Sequence, residues 1–419
     1  IQCDFDAAFL CGDMPFELYA RPPSGVPAPV GPDGKSMVLS VTGNQYGHPK
    51  APLIFETLLH ELFMAFGSVP GCTVVADGQP VRRGLADVCS YRFTCGAVSV
   101  NCVSYVDDTL WQVPRTAAAR QLFDKIVDHI NGHGKLRIGE DASGARKGQP
   151  VRSFLGMLFE YDVDKGVLRL SMPAKIDEVI ERANLSDAFP KFTPGEPGTE
   201  ASLADCPPDG PAGAEHRAVM DNIPYRSLLM SVMWIARGVR PDIQHQTSAL
   251  SRVMHKPGVE HWRRLKHLIR YLKGTRDEKL TYTRDPSLPP GELPVWIAVD
   301  ASYLPDYGAE FDNYKSTTGW VAFGPTGQAV AWRARRQSLF ADSTCVAEYL
   351  AAADAAKMAV HLRLMMSDFG YPQLKPTVIM EDNQACIKVA NKWCNHDRTK
   401  HVDAHAHVLR DLIARDVVE

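Results

Sequence analysis

No apolar run in the sequence reaches the about 18–20 residues that a membrane-spanning helix needs, so no helical membrane span is expected. The opening Ile-Gln-Cys-Asp-Phe-Asp does not read as a signal peptide, so none is expected in this stretch. No two of its ten cysteines are spaced Cys-x-x-Cys, and their scatter points to reduced intracellular thiols rather than a disulfide framework. Neither sign of charge dominates: 46 Lys+Arg stand against 49 Asp+Glu, a net charge of −3. That excludes a uniformly basic coat but leaves room for local basic patches facing phosphates. There is no internal repeat, and no initiator Met: Ile1 opens inside an apolar, strand-like segment, so the chain reads as a piece of something longer. What is present is ordinary globular material, 419 residues with 45% hydrophobic side chains, enough for about three domains.

Three stretches crowded with Pro and Gly punctuate it, at 21–36, 189–214 and 286–294. They suggest a first domain over 1–188, a linker over 189–221, a helical region over 222–285 and a last domain over 295–419. In the first, alternating apolar residues at 98–104 run into Tyr105-Val106-Asp107-Asp108, which reads as a β-hairpin with two acids at its turn. Segments 118–131 and 174–185 have helical spacing. In the helical region, Val259, Trp262, Leu265, Leu268, Ile269 and Leu272 recur at helical spacing before Gly274, and Arg263, Arg264, Lys266, Arg270 and Lys273 fill the other positions. A solvated helix face accounts for that stripe, and so does a surface for phosphates. The last domain reads strand, strand, strand, helix, strand, helix, helix, with its final helix starting near Val402.

Two sets of acids could carry chemistry. Asp4 ends a strand-like run, and only folding could bring it to Asp107 and Asp108. Asp300 ends a strand, Glu348 lies early in a long helix, and Asp382 ends the next strand. Asp4 alone, or any single acid of the second set, is more simply a turn, cap or surface acid, whereas the adjacent pair Asp107-Asp108 after Tyr-Val is not so simply explained. Carboxylates drawn together repel, and divalent cations are the usual compensation. Two Mg²⁺ or Mn²⁺ ions per site, about 3.5–4 Å apart, suit an in-line phosphoryl transfer.

The motifs then show a resemblance. Tyr105-Val106-Asp107-Asp108 resembles the catalytic box of reverse transcriptases, and Asp4-Phe5-Asp6-Ala7-Ala8-Phe9-Leu10-Cys11-Gly12-Asp13 resembles the first catalytic motif of copia-type LTR retrotransposon Pol polyproteins. Phe154-Leu155-Gly156, Tyr225-Arg226-Ser227-Leu228, Arg240-Pro241-Asp242-Ile243 and Tyr271-Leu272-Lys273-Gly274-Thr275 follow in the order of that family. So do Lys315-Ser316-Thr317-Thr318-Gly319-Trp320, Ala347-Glu348-Tyr349, Asp382-Asn383-Gln384 and Arg398-Thr399-Lys400-His401-Val402-Asp403. The resemblance implies a multidomain chain of α+β and α/β parts: a truncated reverse-transcriptase palm with thumb and connection helices, then a ribonuclease H-like α/β domain.

It further implies metal-binding catalytic acids at Asp4, Asp107 and Asp108, and a second set at Asp300, Glu348, Asp382 and Asp403. Phe9, Tyr105 and Lys50 take nucleotide-binding positions. The stripe from Arg263 to Lys273, with Arg333, Arg335, Arg336 and His401, would follow the nucleic-acid backbone. A zinc site from Cys394, His396 and the nearby histidines lacks a second ligand pair at finger-like spacing. The implied partners are an RNA template, a DNA primer, the RNA–DNA hybrid, dNTPs, an upstream integrase and a capsid particle, with no membrane. The implied location is the cytoplasm, in virus-like particles, with nuclear access.

The sequence also departs from the family. The fingers region expected before Asp4 is missing, His48-Pro49-Lys50 replaces Leu-Lys-Gln, Leu53 replaces Arg, and Cys345-Val346 replaces Thr-Glu. Two other readings therefore stand beside an active enzyme: a decayed fragment that only binds nucleic acid, and a ribonuclease H with a passive scaffold.

Overall fold

In a computed structural model, the structure describes residues 1–5, 8–11, 13–22, 25–44, 47–68, 81–134, 136–138, 153–196, 201–289, 291–303, 315–391 and 408–419. They form a mixed α/β protein of two compact units, Ile1–Val151 and Arg152–Glu419.

The first unit carries β1 (Gln2–Asp4), β2 (Asp13–Ala20), β3 (Leu39–Gly43), α1 (Ala51–Ala65), β4 (Val81–Arg83), β5 (Ser90–Cys95), β6 (Val98–Tyr105), β7 (Asp108–Gln112) and α2 (Ala117–Gly132). Its main sheet has the order β1-β7-β6-β5-β4, and every neighbouring pair is antiparallel. Thr116 caps α2, its hydroxyl accepting from the Ala119 N–H at 3.1 Å. The core joins Phe55, Leu59 and Phe63 of α1 and Leu122, Phe123 and Ile126 of α2 to Phe93, Val100 and Trp111 of the sheet. Phe63 lies edge-on to Tyr91, Phe93 and Trp111, with ring centroids 4.8, 5.3 and 5.8 Å away.

The second unit opens with β8 (Ser153–Phe154), β9 (Met157–Asp162), β10 (Val167–Ser171) and α3 (Pro173–Arg182). Then come α4 (Ala214–Asp221), α5 (Tyr225–Gly238), α6 (Gln244–Arg252), α7 (Val259–Gly274) and β11 (Leu280–Thr283). β11 pairs with β10, so residues 153–171 and 280–283 share one sheet. Helices α3, α5, α6 and α7 bury Ile176, Val179, Leu228, Val232, Leu250, Leu265, Leu268 and Leu272 in one core. The unit boundary therefore falls ahead of 153, not at the Pro-rich stretch near 189. Proline marks where regular structure stops, whereas packing decides which residues belong together.

The same unit continues through β12 (Trp296–Ser302), β13 (Thr317–Phe323), β14 (Ala329–Arg336), α8 (Thr344–Asp368), β15 (Val378–Met380), α9 (Gln384–Asn391) and α10 (Val408–Ala414). The sheet order is β14-β13-β12-β15, with β12 and β15 parallel. Ser343 caps α8. The helix buries Ala347, Ala351, Ala352, Ala355, Ala356 and Ala359, small residues that let its axis approach the sheet closely. Farther along α8, Arg363 donates to the Lys375 and Gln373 carbonyls at 2.7 and 2.8 Å, and so holds the approach to β15. The expected start of the last helix near Val402 lies outside the described residues.

Candidate functional site

In the first unit, pairing of β1 with β7 sets Asp4 opposite Asp108. The Phe5 N–H donates to the Asp107 carbonyl at 3.2 Å. Thr109 fixes this register: its hydroxyl, fully buried, donates to the Cys3 carbonyl at 2.9 Å and accepts from the Trp111 indole N–H at 2.9 Å. Residues more than a hundred positions apart thus meet at the tip of one hairpin. Tyr105 and Asp108 close that hairpin. Asp107 is exposed at its turn, as is Tyr105, and Asp108 is half-buried. Asp4 and Phe9 are described through their backbone, Phe9 in a 3-10 turn over Ala8–Leu10.

Val106 has φ +56°, and Asp107 is not among the positive-φ residues. Type II′ turns show this sign pattern and favour glycine at the first central position. A β-branched residue there is strained, and such strain concentrates where a side chain must be held out for function. Val106→Gly is expected to raise the thermal stability by about 0.5–1 kcal/mol, since relief of strain outweighs the added chain entropy. A melting curve checks it, and a lower melting temperature would contradict the strain argument.

In the second unit, carboxylate oxygens of Asp300, Glu348 and Asp382 all lie within 4.8 Å of one another. β12 alternates, burying Ile297, Val299 and Ala301 and turning Asp300 outward. Glu348 projects from the second turn of α8 and is buried, at 7% exposure. It accepts a hydrogen bond from the Ala301 N–H, while its Oε2 is buried with no partner in the structure. Asp382 follows β15 and is exposed. Asn383 sets the turn after it, its Oδ1 accepting from the Ala385 and Cys386 N–H groups, both at 3.0 Å.

Burial, then the charges of Glu381, Asp300 and Asp382, push the Glu348 carboxyl up to about 8. Glu381 is a neighbour that the sequence pattern did not single out. Its own carboxyl is pushed up, mainly by burial, and its Oε2 is also buried without a partner. Its signal was an acid beside Asp382, but adjacent strand residues ordinarily face opposite ways. Departure from the strand after Met380 cancels that rule. Gln337, likewise not singled out, donates to the Thr318 hydroxyl at 3.1 Å and the Ala347 carbonyl at 2.8 Å, tying β13 to the turn that bears Glu348. Asp403 and His401, and with them the zinc candidates Cys394 and His396, lie outside the described residues.

The structure gives the basic candidates partners that the sequence did not suggest. Arg263 meets Glu260 at 2.8 Å and Arg264 meets Asp205 at 3.1 Å. Lys266 lies 5.5 Å over the Trp262 ring. Arg270 donates to the Phe189 carbonyl at 2.6 Å, and Lys273 to the Ala188 carbonyl at 2.8 Å. Arg333 and Arg335 both pair with Asp354, at 3.2 and 2.8 Å, and Asp354 also accepts from the Trp320 indole at 2.8 Å. Arg336 stands across from Thr317 in the β13–β14 pair. Lys50, the N-cap residue of α1, is exposed.

Among the described residues, no helix is long and apolar enough to cross a membrane. Sequence comparison gives relatives of one kind along nearly the whole chain. It is 30% identical over 415 residues to the retrovirus-related Pol polyprotein from transposon TNT 1-94 of Nicotiana tabacum, matching 98% of this chain and 28% of that one. It is 24% identical over 412 residues to the Pol polyprotein from transposon RE1 of Arabidopsis thaliana, matching 98% of this chain and 25% of that one. The chain thus spans about a quarter of the length of these relatives. No protein-family model matches it. Among solved structures, a foamy viral protease–reverse transcriptase in complex with an RNA/DNA hybrid superposes with a TM-score of 0.47 at 11% identity, over 100% of this chain and 43% of that one.

Proposed function

We propose that the chain, similar over 98% of its length to retrovirus-related Pol polyproteins of transposons, is the reverse transcriptase and ribonuclease H part of a copia-type element. The observation that carries the nuclease reading is the convergence of Asp300, Glu348 and Asp382 from a strand, a helix and a second strand. Hard oxygen donors of this kind suit Mg²⁺ or Mn²⁺. The buried, unpartnered Oε2 of Glu348 fits the same need, because a lone buried carboxylate oxygen is costly without a cation or proton.

Asp300, Glu348 and Asp382 would hold the cations of the nuclease site, with Asp403 as the fourth acid that the family pattern supplies. Bound there, two cations would activate water and stabilise the leaving oxygen of an RNA phosphodiester. The chain's own part is positioning. Asp300 and Asp382 are exposed, so a strand can reach them, while Glu348 anchors the set from below. Gln337 and Asn383 keep the helix and the turn from drifting. His401, by its place in the family motif, would orient the scissile phosphate.

For DNA synthesis, Asp4, Asp107 and Asp108 would hold the corresponding cations at the hairpin tip, where a primer 3′-hydroxyl meets a dNTP. Phe9, Tyr105 and Lys50 would line the nucleotide. The substrates are then a primed RNA or DNA template and the RNA strand of an RNA–DNA hybrid. The setting is a cytoplasmic particle with other parts of the polyprotein, followed by nuclear entry. A nuclease-only reading stands second, because His48-Pro49-Lys50 alters the motif beside the nucleotide.

The test uses two variants of the full chain in primer extension and hybrid cleavage, with Mg²⁺ or Mn²⁺. Asp382→Asn is expected to lower cleavage on the order of 10²–10³-fold, the scale of losing one electrostatic stabiliser, and to spare extension. Asp107→Asn is expected to do the reverse. Cleavage without extension in the unmodified chain would favour the nuclease-only reading. Hybrid binding with neither activity would leave a binding fragment.

A further inference from the structure

The segment 186–196, rich in proline and crossed by α7, is fastened by its backbone. Lys273 donates to the Ser186 and Ala188 carbonyls, and Arg270 to the Phe189 carbonyl at 2.6 Å. The Lys191 N–H donates to the Arg270 carbonyl at 3.1 Å, and the His267 ring bonds the Thr193 carbonyl at 2.9 Å. The approach is close at both ends. A Cβ on Gly274 would stand 3.0 Å from Pro190, and one on Gly195 would stand 2.6 Å from the Gln246 amide.

Yet this fastened strap holds two phenylalanines in water. Phe189 is 82% exposed and Phe192 is 93% exposed. Their neighbours Ala188 and Lys191 line a cavity of about 320 Å³, whose other walls include Arg263, Arg264, Lys266 and Arg270. Five cations face that cavity against the single carboxylate of Glu196, which already meets Lys191 at 3.6 Å and Arg263 at 3.8 Å. A single exposed aromatic on a surface needs no explanation. Two on one tethered strap, beside a cavity whose walls carry an excess of cations, make a combination that fits a particular ligand.

We propose that Phe189, Phe192 and this cationic cavity form a platform for unpaired nucleic acid, with bases stacking on the rings and phosphate oxygens meeting the cations. The charge decides the occupant. Protein interfaces are depleted of charge at their core, especially lysine, whereas single-strand sites join a basic groove to aromatic faces. A paired duplex keeps its base faces covered, so the rings select strands without a partner. The proposal rests on the nucleic-acid reading above and deepens it. It adds a grip on single-stranded template or displaced strand, remote in sequence from both acid sets.

The experiment is fluorescence anisotropy of a labelled 12-nucleotide pyrimidine DNA with the full chain, alongside cleavage of a blunt RNA–DNA hybrid at saturation. The double variant Phe189→Ala/Phe192→Ala should bind the single strand about 10- to 100-fold more weakly, the range expected for losing one stacked base or more. Both side chains are exposed, so the fold and blunt-hybrid cleavage should persist. Phe189→Trp/Phe192→Trp should restore binding and show indole quenching on saturation. Lys266→Gln should shallow the salt dependence by about 0.7 in slope, the amount for one phosphate no longer neutralised.

Unchanged single-strand affinity in the alanine double variant overturns the proposal, as does equal weakening toward blunt hybrid. Loss of self-association with unchanged nucleic-acid affinity would assign the rings to a protein partner instead, and would also overturn it. Single-strand binding that depends on Phe189 and Phe192 in a chain with neither cleavage nor extension would leave the platform standing and sink the enzymatic reading.

Discussion

Glu348→Gln is expected to raise the stability of the metal-free chain by about 2–4 kcal/mol at about pH 7–8 while removing hybrid cleavage. The two effects share one cause. Glu348 is buried and faces Glu381, Asp300 and Asp382, so its ionised form is disfavoured and its carboxyl is pushed up to about 8. In the unfolded chain the same group titrates near ~4.3. Between those values the folded state holds the proton and the unfolded state does not. Stability therefore falls as pH rises through that window, the reverse of an ion-paired acid. The metal-free protein should melt progressively lower from about pH 5 to about pH 8, and Glu348→Gln should flatten that decline. Mg²⁺ or Mn²⁺ should raise the melting temperature more at about pH 8 than at about pH 6, because cation and proton compete for the same oxygens. Differential scanning fluorimetry with and without EDTA reads all three. A metal-free melting temperature that climbs across that same range would contradict the clustered-acid account.

Phe63→Ala is expected to destabilise the first unit by about 3–5 kcal/mol, the cost of truncating a fully buried aromatic that cannot be refilled. Phe63 is 0% exposed and touches Tyr91, Phe93 and Trp111 by ring edges. Trp111 is hydrogen-bonded to Thr109, which holds the Cys3 carbonyl beside Asp4. The void thus opens next to the contacts that set Asp4 against Asp108. Primer extension should fail before the chain unfolds globally, and urea denaturation should show the lower stability. Near-normal stability with retained extension would mean that the sheet is held in register by something other than this aromatic cluster.

The secondary structure was legible where its causes are local. Alternation over Val98–Tyr105 and the acids after it became the β6–β7 hairpin, and the apolar spacing of 259–272 became α7. The meeting of Asp4 with Asp108 was not readable from spacing, because it depends on pairing across more than a hundred residues. Only motif order suggested it. The basic stripe was legible as charge but not as contact. Arg270 and Lys273 donate to main-chain carbonyls, and carbonyl acceptors leave no trace in composition. Arg333 and Arg335 converge on Asp354, which sits a helix away in sequence. Proline misled in the same way near 189: it correctly foretold irregular backbone but not that this backbone is bound to α7. Glu381 was hidden because strand parity assigns it away from Asp382, and the parity ends where the strand does.

Helix α8 bears Glu348 near one end and, through Arg363, grips the run-in to β15 toward the other. Its run of buried alanines gives that face short side chains with little freedom to repack and absorb a displacement. The helix is therefore a strut of set length, spacing one arm of the acid cluster from the strand that supplies another. Its tolerance should be to chemistry, not to count. One residue inserted between Glu348 and Arg363 would swing one end about 100° and ~1.5 Å relative to the other, and no rotamer of a glutamate recovers that.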